Sequence, residues 1–341
     1  MQAFVNQLWY GKRTPLMWLL WSLLLPLSAV FALVTTVRRS LFSLGIKKAT
    51  QIDVPVIIVG NITVGGSGKS PTVIYLIELL RQHGLRPGVV SRGYGVKFDG
   101  VRHVSRESTA KQVGDEPLMI VSRTEVPMVI GASRVDAAQA LVANHDVDII
   151  ISDDGLQHYH LARDIELILI DGQRQLGNRC LLPAGPLREG AWRLHQVDFV
   201  INNGGVNGLG ETMELVIDSL KPVAAKNTGA APAKDANWCA IAAIGNPQRF
   251  FNTLKNNGFN LVACHGFDDH MMLSAEDIEA ISADGAVVMT EKDAVKCREF
   301  AKDNWWYLPV NAKLSTEFEI NLMAKVHRQI EQKKGNPNGV R

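Results

Sequence analysis

A chain of 341 residues, 46% of them hydrophobic, can bury one large core or two moderate ones. Its 36 Lys and Arg against 34 Asp and Glu leave a formal charge of +2, which argues against a nucleic-acid-binding face. Cys180, Cys239, Cys264 and Cys297 lie far apart with no C-x-x-C spacing, so neither a zinc site nor a disulfide framework is expected, and a reducing compartment suits them.

The first element is apolar. Residues 14–37 carry no charge and are bracketed by Lys12-Arg13 and Arg38-Arg39. As a helix this stretch would reach about 36 Å, enough for a hydrocarbon core of about 30 Å. Pro15 fits a first helical turn, whereas Pro26 falls mid-segment and is expected to kink or break the helix. Trp9, Tyr10, Trp18 and Trp21 suit an interface belt. A cleaved signal peptide would be shorter and followed by an A-x-A pattern, and a buried core helix seldom has doubly basic flanks. The reading is a membrane anchor, spanning or interfacial, over 1–43. Arg38, Arg39, Lys47 and Lys48 outnumber the basic residues before it, which places the body in the cytoplasm.

Beyond the anchor, short Val/Ile runs alternate with amphipathic stretches. Strands are expected at 54–59, 87–91, 127–130, 148–152, 165–170 and 198–201, with helices at 70–83, 116–123 and 133–144. That alternation predicts an α/β fold, a parallel sheet covered by helices on both faces. Residues 44–220 form this first domain. The Ala-, Pro- and Lys-rich stretch 221–237 reads as a linker. A smaller C-terminal α/β domain follows over 238–332, with strands at 238–244, 286–290 and 305–310 and a helix at 247–257. The Lys-rich tail 333–341 should fray.

The first strand runs into Gly65-Gly66-Ser67-Gly68-Lys69-Ser70 and then a helix, which is the context a phosphate loop requires. The pattern G-x-x-x-x-G-K-[ST] asks for glycine where this chain has Thr63, so the chain approaches the loop differently, with Gly60 expected to make the turn. Thr63, Val64, Gly65, Gly66, Ser67, Gly68, Lys69 and Ser70 are the expected nucleotide-binding residues. Lys69 would reach the β- and γ-phosphates, and Ser70 would ligate Mg²⁺. A flexible Gly-Ser turn is the plain alternative, and the ordered strand, loop, G-K-S and helix disfavour it.

A carboxylate site is expected at the end of another strand. Asp153 and Asp154 follow the apolar run 148–152, and either can hold Mg²⁺ directly or through water. His158 and His160 nearby make a transition-metal site the rival, less suited to the hard cation that a phosphate loop implies.

Six pieces occur in order: GNITVGGSGKSP at 60–71, SRGYG at 91–95, GDEP at 114–117, DDGLQH at 153–158, LLPAGPLRE at 181–189 and FDDH at 267–270. Together with TEKDAVK at 290–296 and the apolar N-terminal segment, they resemble tetraacyldisaccharide 4'-kinase, the lipid A 4'-kinase of Gram-negative bacteria. The resemblance spans nearly the whole chain. It implies a P-loop NTPase-like fold and a monotopic inner-membrane enzyme with its body in the cytosol. Such enzymes transfer the γ-phosphate of ATP, with Mg²⁺, to the 4'-hydroxyl of a membrane-bound acylated glucosamine disaccharide 1-phosphate. It also makes Thr63 typical, because the family's loop reads T-V-G-G-x-G-K-[ST]. No obligate protein partner is implied.

A sugar hydroxyl is a poor nucleophile, so transfer needs positioning, charge neutralisation and a base within hydrogen-bond reach. The resemblance marks Asp115 as the general base and His270 as its partner, a pair distant in sequence that domain closure would assemble. Without it, Asp115 reads as a helix N-cap and His270 as a surface turn residue. Gln157, His158, Arg134, Arg188, Glu189 and Arg92 lie in or near the motif loops as further active-site candidates, the arginines as phosphate ligands. A membrane-anchored ATPase or GTPase switch is the alternative. Its guanine-reading [NT]-K-x-D element is absent, since TEKD has the wrong spacing. A non-catalytic membrane scaffold is a second alternative, in which the loop binds nothing.

Overall fold

The computed structural model describes residues 2–12, 14–205, 210–224, 226–282 and 285–335. Two helices open the chain, α1 (Gln2–Tyr10) and α2 (Pro15–Ser43). Thr14 caps α2 by accepting the Met17 amide, and Pro15 occupies the first turn, where no amide is missed. Pro26 does not break the helix, which continues through it to Ser43. Most of α2 is bare: within its most apolar window, of mean hydropathy 2.1, only 11% of the residues are buried. Ser22 and Thr35 donate back to the carbonyls of Trp18 and Phe31, so their hydroxyls need no solvent. Polar contacts dock this helix on the body, among them Arg39 donating to Gln196. Ser28 Oγ donates to Leu181 O (3.0 Å) and accepts from Ala184 N (3.0 Å), while Trp9 Nε1 of α1 donates to Pro183 O (3.1 Å).

The body begins with β1 (Val56–Gly60), α3 (Lys69–Gln82), β2 (Pro87–Ser91), β3 (Val101–Val104), α4 (Ala110–Val113), α5 (Asp115–Thr124), β4 (Met128–Gly131), α6 (Arg134–Asn144) and β5 (Ile149–Asp153). It continues with β6 (Ile165–Asp171), β7 (Phe199–Asn203), β8 (Glu211–Ile217) and β9 (Lys221–Pro222). Next come β10 (Trp238–Ala242), α7 (Pro247–Asn256), β11 (Leu261–Gly266), α8 (Ala275–Ser282), β12 (Ala286–Thr290) and α9 (Glu291–Cys297). The last elements are β13 (Trp305–Leu308), β14 (Val310–Lys313) and α10 (Thr316–Gly335).

The larger sheet runs β14-β8-β7-β6-β1-β5-β2-β4-β3, parallel throughout except for its antiparallel edge strands β14 and β3. Alternation along β1 shows why it lies at the centre. Ile57 and Val59 pack into the core beneath α3, α5 and α10, and Val56 and Ile58 into the core beneath α6. Both faces are covered, as the near-continuous apolar runs require. The smaller sheet runs β11-β10-β12-β13-β9, with only β9 antiparallel. In β10, Trp238, Ala240 and Ala242 face Phe250 and Leu254 of α7, whereas Cys239 and Ile241 face Ile278 of α8 and Ala294 of α9. All four thiols are free.

Two stretches differ from expectation. The predicted linker is partly built into the smaller sheet, since Lys221–Pro222 pairs with β13 and Val223 and Ala224 are buried. At the other end, the chain does not finish within the smaller unit. Strand β14 pairs with β8 of the larger sheet, and Phe318, Leu322, Met323 and Val326 of α10 fill its core. Part of the expected frayed tail is helical through Gly335, with Lys333 bonded to Ile52 O (2.7 Å); the remainder lies outside the described residues.

Candidate active site

The C-terminal ends of the parallel strands face a cleft of about 1320 Å³ between the two sheets, which is where open α/β sheets place their ligands. Gly60, expected to turn the chain, instead ends β1. A Cβ there would sit 2.7 Å from Leu156 Cβ, so close packing explains the residue. The turning glycines are Gly65 (φ 112°) and Gly68 (φ 95°). The unusual approach at Thr63 has a partner in the chain at 186–188. Thr63 bridges to Leu187, Val64 N donates to Pro186 O (2.9 Å), and Arg188 N donates to Ile62 O (2.6 Å). A short antiparallel contact thus steers the chain where a glycine would otherwise be needed.

Asn203, at the end of β7, donates to Ser67 O (3.0 Å) and lies so near Gly68 that a Cβ would meet its Nδ2 at 2.3 Å. Helix α3 then starts at Lys69, its free amides aimed into the cleft. Thr63, Val64, Gly65, Gly66, Ser67, Gly68, Lys69 and Ser70 thereby form one continuous loop and helix start, and from Val64 onward they line the cleft.

Asp153 and Asp154 stand opposite this loop. Asp153 closes β5; its Oδ2 accepts from Ser91 Oγ (3.3 Å), while its Oδ1 is buried without a partner. Burial, with Glu116 and Asp154 nearby, pushes the Asp153 carboxyl up to about 7. Asp154, in the left-handed region (φ 49°), lies 3.6 Å from Lys69 Nζ and 3.4 Å from Arg188 Nη1. Burial raises its pKa too, but Lys69 and Arg188 outweigh that and hold it below the ordinary carboxylate value. An orphaned, buried carboxylate oxygen beside a second carboxylate fits a hard divalent cation.

The histidine alternative is not assembled. His158 Nε2 accepts from Arg134 N (3.3 Å), and burial together with Arg134 lowers its pKa to about 4. Among the described residues no cluster of three or more His, Cys, Asp or Glu side chains has metal-binding geometry.

Arg134 is buried at the first turn of α6 and donates to Gly131 O (3.1 Å); burial lowers its pKa to about 10 against the pull of Asp153 and Asp154. Arg92 lies exposed on the cleft wall, and Arg188 joins Asp154 to Gln157. Glu189 is set apart from the cleft. It is buried and accepts from Gln157 (2.8 Å), Tyr159 (2.9 Å) and Arg193 (3.2 Å), so it holds Gln157 in place from behind.

Helix α5 and the turn after β11 bring Asp115 and His270 together; His270 lines the cleft, and Asp115 is buried. Gly114 (φ 90°) precedes α5, and Asp115 is its first residue, with Oδ1 accepting from the Glu116 amide (2.8 Å). His270 Nδ1 stands 3.0 Å from both Asp115 carboxylate oxygens. Burial alone would raise Asp115, but His270 and Lys292 hold it below its ordinary value; the same bond raises His270. His270 sits in the left-handed region (φ 64°), and residues of α9 clamp its turn. Asp293 accepts from Ala243 N (3.0 Å), His270 N donates to Ala243 O (3.4 Å), and Lys296 donates to Met271 O (2.9 Å).

Sequence reasoning missed Lys292, Asn203, Arg174 and Arg249. Lys292 lies inside the TEKDAVK motif, so its signal was present. Arg249 of α7 reaches Asp171 (3.7 Å) and Asn203 Oδ1 (2.7 Å) in the larger unit, contacts that no local pattern announces.

The family described as "LpxK: Tetraacyldisaccharide-1-P 4'-kinase" matches residues 20–327. Curated proteins named tetraacyldisaccharide 4'-kinase are similar along the full chain. One from Shewanella baltica is 58% identical over 344 aligned residues, covering all of both chains. Another from Shewanella halifaxensis is 60% identical over 335, covering 98% of this chain and all of the other. Among solved structures, the "apo" form of LpxK from Aquifex aeolicus in complex with ATP matches with a TM-score of 0.74 and 26% identity. That match covers 91% of this chain and 99% of the other.

Proposed function

The chain belongs to the tetraacyldisaccharide-1-P 4'-kinase family, ATP-dependent kinases of lipid A biosynthesis, and from that premise we propose how its own residues carry out the transfer. The acceptor is the 4'-hydroxyl of a tetraacylated glucosamine disaccharide 1-phosphate, and ATP supplies the phosphoryl group. The amides of the loop 63–70 cradle the triphosphate, with Lys69 neutralising its β- and γ-oxygens. Asp115 takes the proton of the 4'-hydroxyl as its oxygen bonds to phosphorus, and His270 holds the Asp115 carboxylate in place. The observation that carries this reading is the Asp115–His270 contact of 3.0 Å, in which His270 lines the cleft that also holds the phosphate loop and Asp115 is buried next to Glu116 on its wall.

Asp153, Asp154 and Ser70 are the residues that would hold Mg²⁺, with the buried, unpartnered Asp153 Oδ1 a ligand oxygen for it. Bound there, the ion would neutralise charge on the β- and γ-phosphate oxygens. Arg134, Arg188 and Arg92, which line the cleft, would meet phosphate oxygens, with Gln157 and His158 beside them. The bare face of α2 suits a monotopic inner-membrane anchor that presents the lipid acceptor at bilayer depth, with the body on the cytoplasmic side. Residues 44–220 together with 310–335 make the nucleotide-binding domain, and 221–309 the smaller one.

The switch alternative loses its nearest support. Thr290 caps α9 by accepting the Asp293 amide, the Asp293 carboxylate accepts from Ala243 N, and Lys292 contacts His270, so the polar groups of TEKD are engaged within the protein.

The test is transfer of label from ATP to the disaccharide lipid by the full chain in detergent with Mg²⁺. Label is expected in the lipid with stoichiometric ADP, and Lys69→Ala is expected to depress both nucleotide use and transfer. Hydrolysis continuing while no label reaches the lipid would sink the kinase reading, and an unaffected Lys69→Ala would remove the loop assignment.

A further inference from the structure

Lys292, the second residue of α9, is almost enclosed, with 12% of its side chain exposed. Its Nζ meets three groups: Glu116 Oε1 at 3.2 Å, Asp269 Oδ1 at 3.1 Å and His270 Nε2 at 3.4 Å. An ammonium has three N–H bonds and no lone pair, so each of these neighbours must accept. Burial opposes the Lys292 charge, but Glu116, Asp115 and Asp269 outweigh it and keep the amine protonated. Nε2 of His270 therefore presents its lone pair, and the ring proton must reside on Nδ1, 3.0 Å from the Asp115 oxygens.

We infer that Lys292 is a positioning residue for the transfer, fixing His270 as the neutral Nδ1–H tautomer that donates to an ionised Asp115. The inference rests on the proposed base role of Asp115 and specifies the state in which the base works. As the 4'-oxygen bonds to phosphorus and the phosphorus–oxygen bond to ADP breaks, the hydroxyl proton passes to Asp115. None moves through His270 or Lys292.

The groups facing the imidazole are Asp115 from α5, Lys292 from α9, Asp269 from its own turn, and the Tyr94 ring at 5.0 Å; Lys296 acts on Asp115 from further along α9. Lys292 is the cation that opposes a second proton on this ring and also lowers Asp115. Its removal makes the His270 ring take up its second proton at higher pH.

The experiment uses the full chain in detergent, labelled with ¹⁵N-histidine. The His270 resonances are those absent from His270→Gln. At about pH 8, where an unperturbed histidine is neutral, the wild type is expected to show the Nδ1–H pattern. Lys292→Met is expected to raise the pH at which His270 becomes imidazolium. It should also shift the acidic limb of kcat/KM the same way and lower kcat by about ten-fold or more with little change in the KM for ATP. Lys292→Arg, which keeps charge and donors, should return the limb towards the wild-type position. An Nε2–H or imidazolium pattern in the wild type at that pH overturns the inference, as does an unchanged His270 titration in Lys292→Met. The wild-type spectrum decides even if Lys292→Met does not fold. It is also independent of the base assignment, whose own failure would appear as an Asp115 variant with normal turnover.

Discussion

Thr63 stands where the general phosphate-loop pattern has glycine, and its neighbours supply the reason. The chain there is guided by backbone bonds to 186–188, while the left-handed conformations fall at Gly65 and Gly68. Restoring the general pattern with Thr63→Gly should therefore gain nothing. We expect unchanged or weaker ATP binding in nucleotide titrations, and a stability loss of about 0.5–1 kcal/mol from added backbone freedom. Tighter binding would contradict this account of the loop. At this scale the sequence was informative where chemistry is local. The placement of Lys69, Ser70, Asp153 and Asp154 on the cleft could be read because strand, loop and helix follow one another in order. Lys292 could not be assigned a role, because its partners Glu116 and His270 come from other elements. Glu189 shows the converse: it lies in a motif, yet its carboxylate is occupied by Gln157, Tyr159 and Arg193 away from the cleft.

Among the elements, α2 and α10 show opposite uses of apolar residues. In α2 large side chains such as Leu19, Leu23, Val30 and Leu33 lie outward, each at least 59% exposed, a surface that water does not favour. Deleting residues 1–39 is expected to shift the protein from the membrane to the soluble fraction and to impair use of the acylated acceptor, while ATP binding persists. Unchanged partitioning would count against the anchor. The uncharged run that defines α2 was plain in the sequence, but the outcome at Pro26 was not, since the helix passes through it. Helix α10 escaped notice because only a narrow stripe of it is buried, Phe318, Leu322, Met323 and Val326, among many polar residues. Its return to the larger sheet depends on β14 pairing with β8, a contact between strands about 100 residues apart.

For the whole molecule, composition and the spacing of apolar runs made the α/β class and the central parallel strands legible. What they left open was how the two sheets meet. Arg123 bonding Glu291 (2.9 Å), Arg249 bonding Asn203, and His270 bonding Asp115 join the two sheets' units at the cleft, so the proposed base and its partner come from different units. Closure of such units brings a base to a hydroxyl and excludes water that would otherwise accept the phosphoryl group. The proposed role of Asp115 is to act on the acceptor and not on the nucleotide. The measurement that reaches it most directly is transfer by Asp115→Asn, which keeps the shape of the side chain, alongside its ATP affinity. A kcat lower by about 10²–10⁴-fold is expected, with ATP binding unchanged. Turnover near that of the wild type would contradict it.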